Sequence, residues 1–271
     1  MPLLKSFIRQ AARRLGYEVV HRSTHPVLQE QLTLYNALRF AGADSLDWDD
    51  KPPQIAAQAH LQHLLQRKRI DLVFDVGANE GQFARQLRGL GYTGDIVSFE
   101  PAPHMVAQLQ QAARSDPHWK IVPSAVGHAR ERLTLHVAVA SVFSSFHPPN
   151  DYARKRFGDM VTTDTAVAVD VLPLDEVWRD LAGPLPRRIL LKTDTQGHDL
   201  EVLGGASSLL PHTAVLISEA SFRAIHEHTP DFGVLTRFAE QAGFQITGIF
   251  PISHDAESLG LIEADVYWTR R

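Results

Sequence analysis

Residues 70–81 read Ile70-Asp71-Leu72-Val73-Phe74-Asp75-Val76-Gly77-Ala78-Asn79-Glu80-Gly81. Ile70–Val76 is a continuous apolar run of strand length, and Gly77 ends it. Gly77 lets the backbone turn sharply and approach a ligand without a Cβ in the way. Asn79 tolerates a left-handed conformation that most residues avoid. Gly81 keeps the start of the next helix, Gln82–Leu90, accessible, and Gly91 stops that helix. A tight turn without a ligand is the plain alternative. The pattern is not the dinucleotide fingerprint, because G-x-G-x-x-G is absent.

The same grammar continues outward. Asp95–Phe99 reads as a strand, His104–Arg114 as a helix and Trp119–Pro123 as a short strand. Leu133–Val139 and Ala166–Val171 read as two strands flanking an inserted loop, 141–165, rich in Ser, Pro, aromatic and basic residues. A helix near Leu174–Leu181, a strand at Arg188–Thr193, a helix from Asp199 and a strand at Ala214–Ser218 follow. The chain closes with helix Phe232–Ala242 and strands Phe244–Phe250 and Leu261–Thr269. Apolar strands alternating with helices predict an α/β fold whose doubly wound, mostly parallel sheet is covered on both faces.

Ligands in such sheets bind beyond the carboxyl ends of the strands. The second strand ends in Ser98-Phe99-Glu100-Pro101, with Glu100 19 residues beyond Gly81, a span that suits one βαβ unit. A carboxylate at that point can accept hydrogen bonds from both hydroxyls of a ribose; capping the next helix is the alternative. Together, the glycine bend and Glu100 point to an adenosine-type ligand. Ser124-Ala125-Val126-Gly127 offers small residues and free amides for an adenine edge, or an ordinary turn. Strand alternation puts Lys192 and Asp194 on one side, where buried charges need pairing, and Glu219 brings another carboxylate to the same rim.

These stretches resemble the FkbM-type methyltransferases, a branch of the class I S-adenosylmethionine-dependent family. The matching segments are DVGANEG (75–81), SFEP (98–101), SAVG (124–127), VDVLPLDEV (169–177), LKTDTQGHDLEVLGGA (191–206) and Glu219. They span roughly 70–220, over half the chain. Thr195 stands where a branched apolar residue is usual and Asp199 where Glu is usual; neither removes a needed chemical group.

The resemblance implies a Rossmann-like, seven-stranded sheet and S-adenosyl-L-methionine as cofactor. It further implies that Asp75, Gly77, Ala78, Asn79 and Gly81 line the methionine part, that Glu100 holds the ribose and that Pro101 sets the bend. Ser124 and Ala125 would lie by the adenine, and Asp194 with its neighbours would face the methyl group. Family members largely methylate oxygen on sugars and other natural-product scaffolds.

The donor is already activated, so an enzyme of this kind mainly aligns acceptor, methyl carbon and sulfur. Candidates for taking the acceptor's proton are Asp194, His198 and Glu219, with Lys192 as the charge partner of Asp194. His198 is preferred as proton acceptor because it titrates near neutral pH; a helix-start role is its alternative. A divalent ion shared by Asp194 and Glu219 is possible but not favoured, and His226-Glu227-His228 has the wrong spacing for two ligands on one helical face. Loop 141–165 is the expected acceptor contact, through Ser144 and Ser145, the flat Phe143, Phe146 and Tyr152, and the basic Arg154, Lys155 and Arg156. That mixture suits a small-molecule or glycan acceptor, a sugar or an anionic glycoconjugate.

Composition bounds the remainder. The 271 residues are 44% apolar and 21% charged, with a net charge of −4 that offers nucleic acid no basic field. The absence of cysteine excludes disulfides, thiolate zinc sites and a cysteine nucleophile. Residues 1–69 read as a helical extension, a cap or a route to homo-oligomers, ahead of a methyltransferase domain over 70–271. Its first helix pairs basic residues with Leu3, Leu4, Phe7, Ile8, Ala11 and Leu15, which suits docking or, alternatively, a membrane surface. Leu28, Leu32, Tyr35 and Leu38 mark a second helix. Pro52 and Pro53 open another, with Ile55, Ala59 and Leu64 on its apolar side. Asp44, Asp47, Asp49 and Asp50 form an acidic turn that caps helices more readily than it binds metal. No run is apolar and long enough for a signal sequence or a bilayer span, so a cytoplasmic enzyme is expected. Two rivals stand beside the methyltransferase: a catalytically silent cofactor-binding scaffold and a nicotinamide-linked oxidoreductase.

Overall fold

The computed structural model describes residues 51–255 and 257–271. Its elements begin with α1 (Lys51–Arg67), β1 (Leu72–Val76), α2 (Gln82–Gly89), β2 (Asp95–Phe99), α3 (Pro103–Ala113), β3 (Trp119–Val122), β4 (Ala125–Val126) and β5 (Glu131–Ala138). They continue with α4 (Asp151–Phe157), β6 (Thr163–Leu172), α5 (Leu174–Ala182), β7 (Ile189–Thr193), α6 (Asp199–Gly204) and β8 (Thr213–Ser221). Last come α7 (Phe232–Gln241), β9 (Phe244–His254) and β10 (Leu261–Arg270).

Seven strands form one sheet in the order β3-β2-β1-β7-β8-β10-β9. The first five are parallel, and β10 runs against both of its neighbours. β1 and β7 are buried at every residue, as central parallel strands require. Strand order reverses between them, so a crevice opens beyond their carboxyl ends. A second, three-stranded sheet in the order β4-β6-β5 stands beside this crevice.

Strand alternation sorts the core into two layers. Leu72, Phe74 and Val76 of β1 and Ile189 and Leu191 of β7 pack with Leu174 and Trp178 of α5, Leu203 of α6 and Leu235 of α7. Val73 and Leu190, with Val215 and Ile217 of β8 and Tyr267 of β10, face Leu61 and Leu64 of α1, Phe83 and Leu87 of α2 and Leu109 of α3. By the same parity Asp75, Lys192, Glu219 and Asp265 fall on the α1 side.

Several boundaries differ from the sequence expectation. One compact unit runs from Pro52 to Arg271 and takes in α1 from its second residue. The face α1 buries is Ala57, Leu61, Leu64 and Leu65, at helical spacing, whereas Ala59 is exposed. Segment 141–165 is no plain loop: it holds α4, 3-10 turns at Ser141–Phe143 and Gly158–Val161, and the start of β6. No described helix is long and apolar enough to cross a membrane. The expectations for Leu3–Leu15, Leu28–Leu38, the acidic turn at 44–50 and oligomerisation through those helices lie outside the described residues.

Candidate active site

A cavity of about 710 Å³ opens at the carboxyl ends of β1, β2, β7 and β8. Gly77 turns the chain there with φ +79°, and its N–H donates to Phe99 O at 3.1 Å. A Cβ on Gly77 would lie 1.9 Å from the carbonyl oxygen of Asp194, so only glycine lets the two strand ends come this close. Asn79 follows with φ +47°, the left-handed conformation expected of it.

That geometry aims amides at Glu100. The Asn79 N–H donates to Glu100 Oε2 at 2.8 Å, and the Ala102 N–H donates to Oε1 at 2.9 Å. Each carboxylate oxygen keeps lone-pair capacity for one more donor. Burial pushes the Glu100 carboxyl up, and the two amides oppose that rise. Asn79 also donates through Nδ2 to Ser141 Oγ at 3.2 Å, while its Oδ1 is buried with no partner.

The other end of the cavity carries charge. Lys192 Nζ lies 3.1 Å from Asp194 Oδ2 and 3.5 Å from Asp75 Oδ1. Burial pulls the Lys192 ammonium down, but Asp194, Asp75 and Asp265 outweigh it and hold it above its usual value. Gln196, at φ +52°, donates through Nε2 to Glu219 Oε1 at 2.8 Å and to Asp194 Oδ1 at 3.4 Å. An amide therefore bridges the two carboxylates that a shared divalent ion would bridge. Among the described residues no group of three or more His, Asp and Glu side chains has metal-binding geometry. Burial and then Glu263, Asp194, Asp265 and Asp199 push Glu219 well above the usual carboxylate range.

The cavity wall includes Gly77, Ala78, Asn79, Glu100, Pro101, Ser124, Ala125, Ser144, Lys192, Asp194 and Glu219, eleven of the fifteen residues singled out in the sequence. Four fall elsewhere. Asp75 is fully buried behind Lys192 and accepts from Ser98 Oγ at 3.2 Å. Gly81 serves packing: a Cβ there would lie 2.7 Å from Trp119 and 2.8 Å from Leu109. Ser145 donates to Gln196 O at 2.7 Å and accepts from His147 N at 3.0 Å, which ties the inserted segment to the Gln196 turn.

His198 also falls outside this wall. It occupies the N-cap position of α6 without a side-chain capping bond, its ring packs edge-on against Phe146 at 4.9 Å, and neither ring nitrogen has a hydrogen-bond partner, Glu201 Oε2 lying 3.9 Å from Nδ1. Burial pulls its imidazole down. It does not line the cavity. The basic stretch also points elsewhere. Arg154 donates to Pro149 O, Arg156 lies over the Phe157 ring, and Arg154, Lys155 and Arg156 are exposed and do not line the cavity. His226 is likewise structural, since Nε2 donates to Phe143 O at 3.1 Å.

The model of the methyltransferase FkbM domain matches residues 75–246, more than half of the chain. This chain belongs to the FkbM methyltransferase family. The 2-O-methyltransferase NoeI of Sinorhizobium fredii is 23% identical over 206 residues, covering 69% of this chain and 83% of that protein. Among solved structures, fibrillarin of Aeropyrum pernix with bound S-adenosyl-L-methionine aligns at 12% identity and TM-score 0.44, over 79% of this chain and 74% of its own. Magnesium protoporphyrin IX methyltransferase of Synechocystis PCC 6803 aligns at 11% identity and TM-score 0.44, over 93% and 100%.

The protein is an S-adenosylmethionine-dependent methyltransferase, and residues of its FkbM motifs line both ends of the cavity. Several wall residues carry no motif signal. Asp265 and Tyr267 arrive from β10, and Gln54, Ala57 and Gln58 from α1. Alternation along β10 is readable in the sequence, but which strand it pairs with is not, so Asp265 had no assigned neighbour. Ser141, Val142 and Phe146 join Ser144 from the inserted segment.

Proposed function

We propose that this methyltransferase alkylates a hydroxyl oxygen on a sugar, glycoconjugate or other natural-product scaffold. The observation that carries the reading is the pairing of two ends in one cavity. Glu100, set by two amides, stands at one end, and Asp194 and Glu219 stand at the other. The resemblance to a protein named as a 2-O-methyltransferase supports oxygen as the acceptor atom.

The residues present fit S-adenosyl-L-methionine. Glu100 has lone pairs left for two ribose hydroxyls, and the unpartnered Asn79 Oδ1 can take a donor such as the cofactor's ammonium. Gly77 and Ala78 leave room for the methionine part, and Pro101, Ser124 and Ala125 border the adenine. When bound, the cofactor supplies an electrophilic methyl group on a sulfonium.

The chain's own part is alignment and proton removal. Holding acceptor and donor in line supplies on the order of 7–11 kcal/mol of barrier reduction. A positioned base adds roughly 10²–10⁴-fold. Asp194 and Glu219, joined through Gln196, are the base set, with Lys192 steadying Asp194 and Asp75 acting through Lys192. His198 leaves this group.

Calorimetry with S-adenosylmethionine tests the cofactor end: Glu100→Gln weakens binding roughly 10- to 100-fold, the worth of one or two charge-assisted hydrogen bonds. Release of S-adenosylhomocysteine with a panel of glycosides, followed by detection of the O-methyl product, tests the acceptor end. Binding without turnover on any hydroxyl acceptor would leave a cofactor-binding scaffold instead.

A further inference from the structure

Glu219 lines two cavities. Beside the large one lies a small pocket of about 20 Å³, shared through Gln196 and Glu219 and walled by Asp199, Ser221, His226 and Glu263. That volume accommodates about one water molecule. The Ser221 hydroxyl is buried there with no hydrogen-bond partner in the protein.

Register explains why these groups meet. In the antiparallel β8–β10 ladder Glu219 stands opposite Asp265, and Ser221 opposite Glu263. The two-residue period puts all four on one face, with Glu219 and Glu263 as diagonal neighbours within reach of long side chains. Like charges directly opposite destabilise a ladder, and buried carboxylates this close do not all ionise. Gln196 Nε2 fixes Glu219 Oε1 as an acceptor, which leaves Oε2 to carry a proton. Ser253 Oγ donates to Glu263 Oε2 at 3.3 Å.

The other charged groups facing this pair are Asp194, Asp199, Asp265 and Lys192, and Lys192 is engaged by Asp75 and Asp194. His226 adds no cation near neutral pH, because burial pulls it down to about 4. Burial raises Glu263 to about 7, and burial together with Glu263 raises Glu219.

We propose that Glu219 and Glu263 share a proton across this side pocket and form the outlet for the proton released by the acceptor hydroxyl. This rests on the hydroxyl acceptor of the preceding section. As the acceptor oxygen bonds to the methyl carbon, the carbon–sulfur bond breaks and its electron pair stays on sulfur. The shared proton passes from Glu219 through the pocket to Glu263, the freed Glu219 carboxylate takes the hydroxyl proton, and both are left as carboxylic acids until one proton is lost to solvent. Glu263 acts through Glu219 and touches no reacting atom.

The test is Glu263→Gln, read by the pH dependence of kcat. Expected are a fall of roughly 10²-fold at neutral pH, unchanged affinity for S-adenosylmethionine, and an acid limb moved to lower pH because Glu219 loses a carboxylate neighbour. Glu263→Asp restores part of the rate. Parental kcat with an unmoved acid limb would overturn the proposal. Should Glu263→Gln not fold, infrared titration of the resting parent decides: a protonated carboxyl band that titrates near pH 7 supports the pair, and its absence sinks it. That readout needs no acceptor, so it separates failure of the pair from failure of the hydroxyl reading, which shows as no O-methyl product from the parent.

Discussion

Lys192 and Asp75 face each other in register across β7 and β1, with Nζ 3.5 Å from Oδ1 and the Asp75 side chain wholly buried. Burial raises the Asp75 carboxyl, and Lys192 is the first influence to oppose that rise. Removing one partner of such a pair strands a charge in the interior. Lys192→Met therefore destabilises the protein by about 3–5 kcal/mol in urea unfolding. Lys192→Met combined with Asp75→Asn recovers part of that loss. A double variant no more stable than Lys192→Met would show that the pair is not coupled.

Gly77→Ala tests the closeness of the two strand ends. The new Cβ meets the Asp194 carbonyl oxygen at 1.9 Å in a left-handed conformation. Backbone must move, and the movement carries Asp194 and the Asn79 amide with it. The expected outcome is a loss of about 1–3 kcal/mol in stability and weaker S-adenosylmethionine binding by calorimetry. Parental affinity in Gly77→Ala would show that the bend does not set the cofactor end.

The Glu100 end of the cavity was legible because its residues are local. Gly77, Asn79 and Glu100 announce themselves by residue type and by their place at a strand end, and the structure sets them around one cavity. The end that holds Asp194 and Glu219 depends on strand pairing. Glu263 and Asp265 meet Ser221 and Glu219 only because β10 inserts between β8 and β9 and runs against them. Spacing along the chain carries no trace of that choice. His198 lies within a motif and is a residue type that titrates near neutral pH, but its place at the start of α6 turns the ring onto Phe146 and burial pulls the imidazole down. Ala59 misled because two faces of α1 offer apolar residues, and packing chose the one with Leu61 and Leu65.

His198→Gln tests whether His198 takes part in the chemistry. The ring is buried away from the cavity, so its loss removes packing against Phe146 rather than a proton acceptor. A pH–rate profile with its acid limb in the parental position is expected, together with a modest drop in unfolding midpoint. Disappearance of the acid limb would return His198 to the chemistry.

The acidic cluster also fixes how stability depends on pH. Burial, with Asp194 the next cause for the first two, raises Asp199 and Asp265 to about 6, and burial raises Glu263 to about 7. In the unfolded chain these groups titrate near 4. Between those values the native state binds more protons than the unfolded chain, so stability falls as pH rises. The loss from these three runs from about pH 4 to about pH 7, Glu219 extends it upward, and the buried His226, pulled down to about 4, and His198 oppose it within that window without outweighing the carboxylates. Asp95 and Asp116 act with the opposite sign, since Arg187 and Arg88 hold them below the usual range. Their contribution is present above about pH 4 and is lost only below it, outside the window of the cluster. Urea midpoints are therefore higher at pH 5 than at pH 7.5. Glu263→Gln, neutral at both, loses part of that difference. A parent that is more stable at pH 7.5 than at pH 5 would mean that the carboxylates of β8 and β10 ionise freely, without the burial that the ladder imposes.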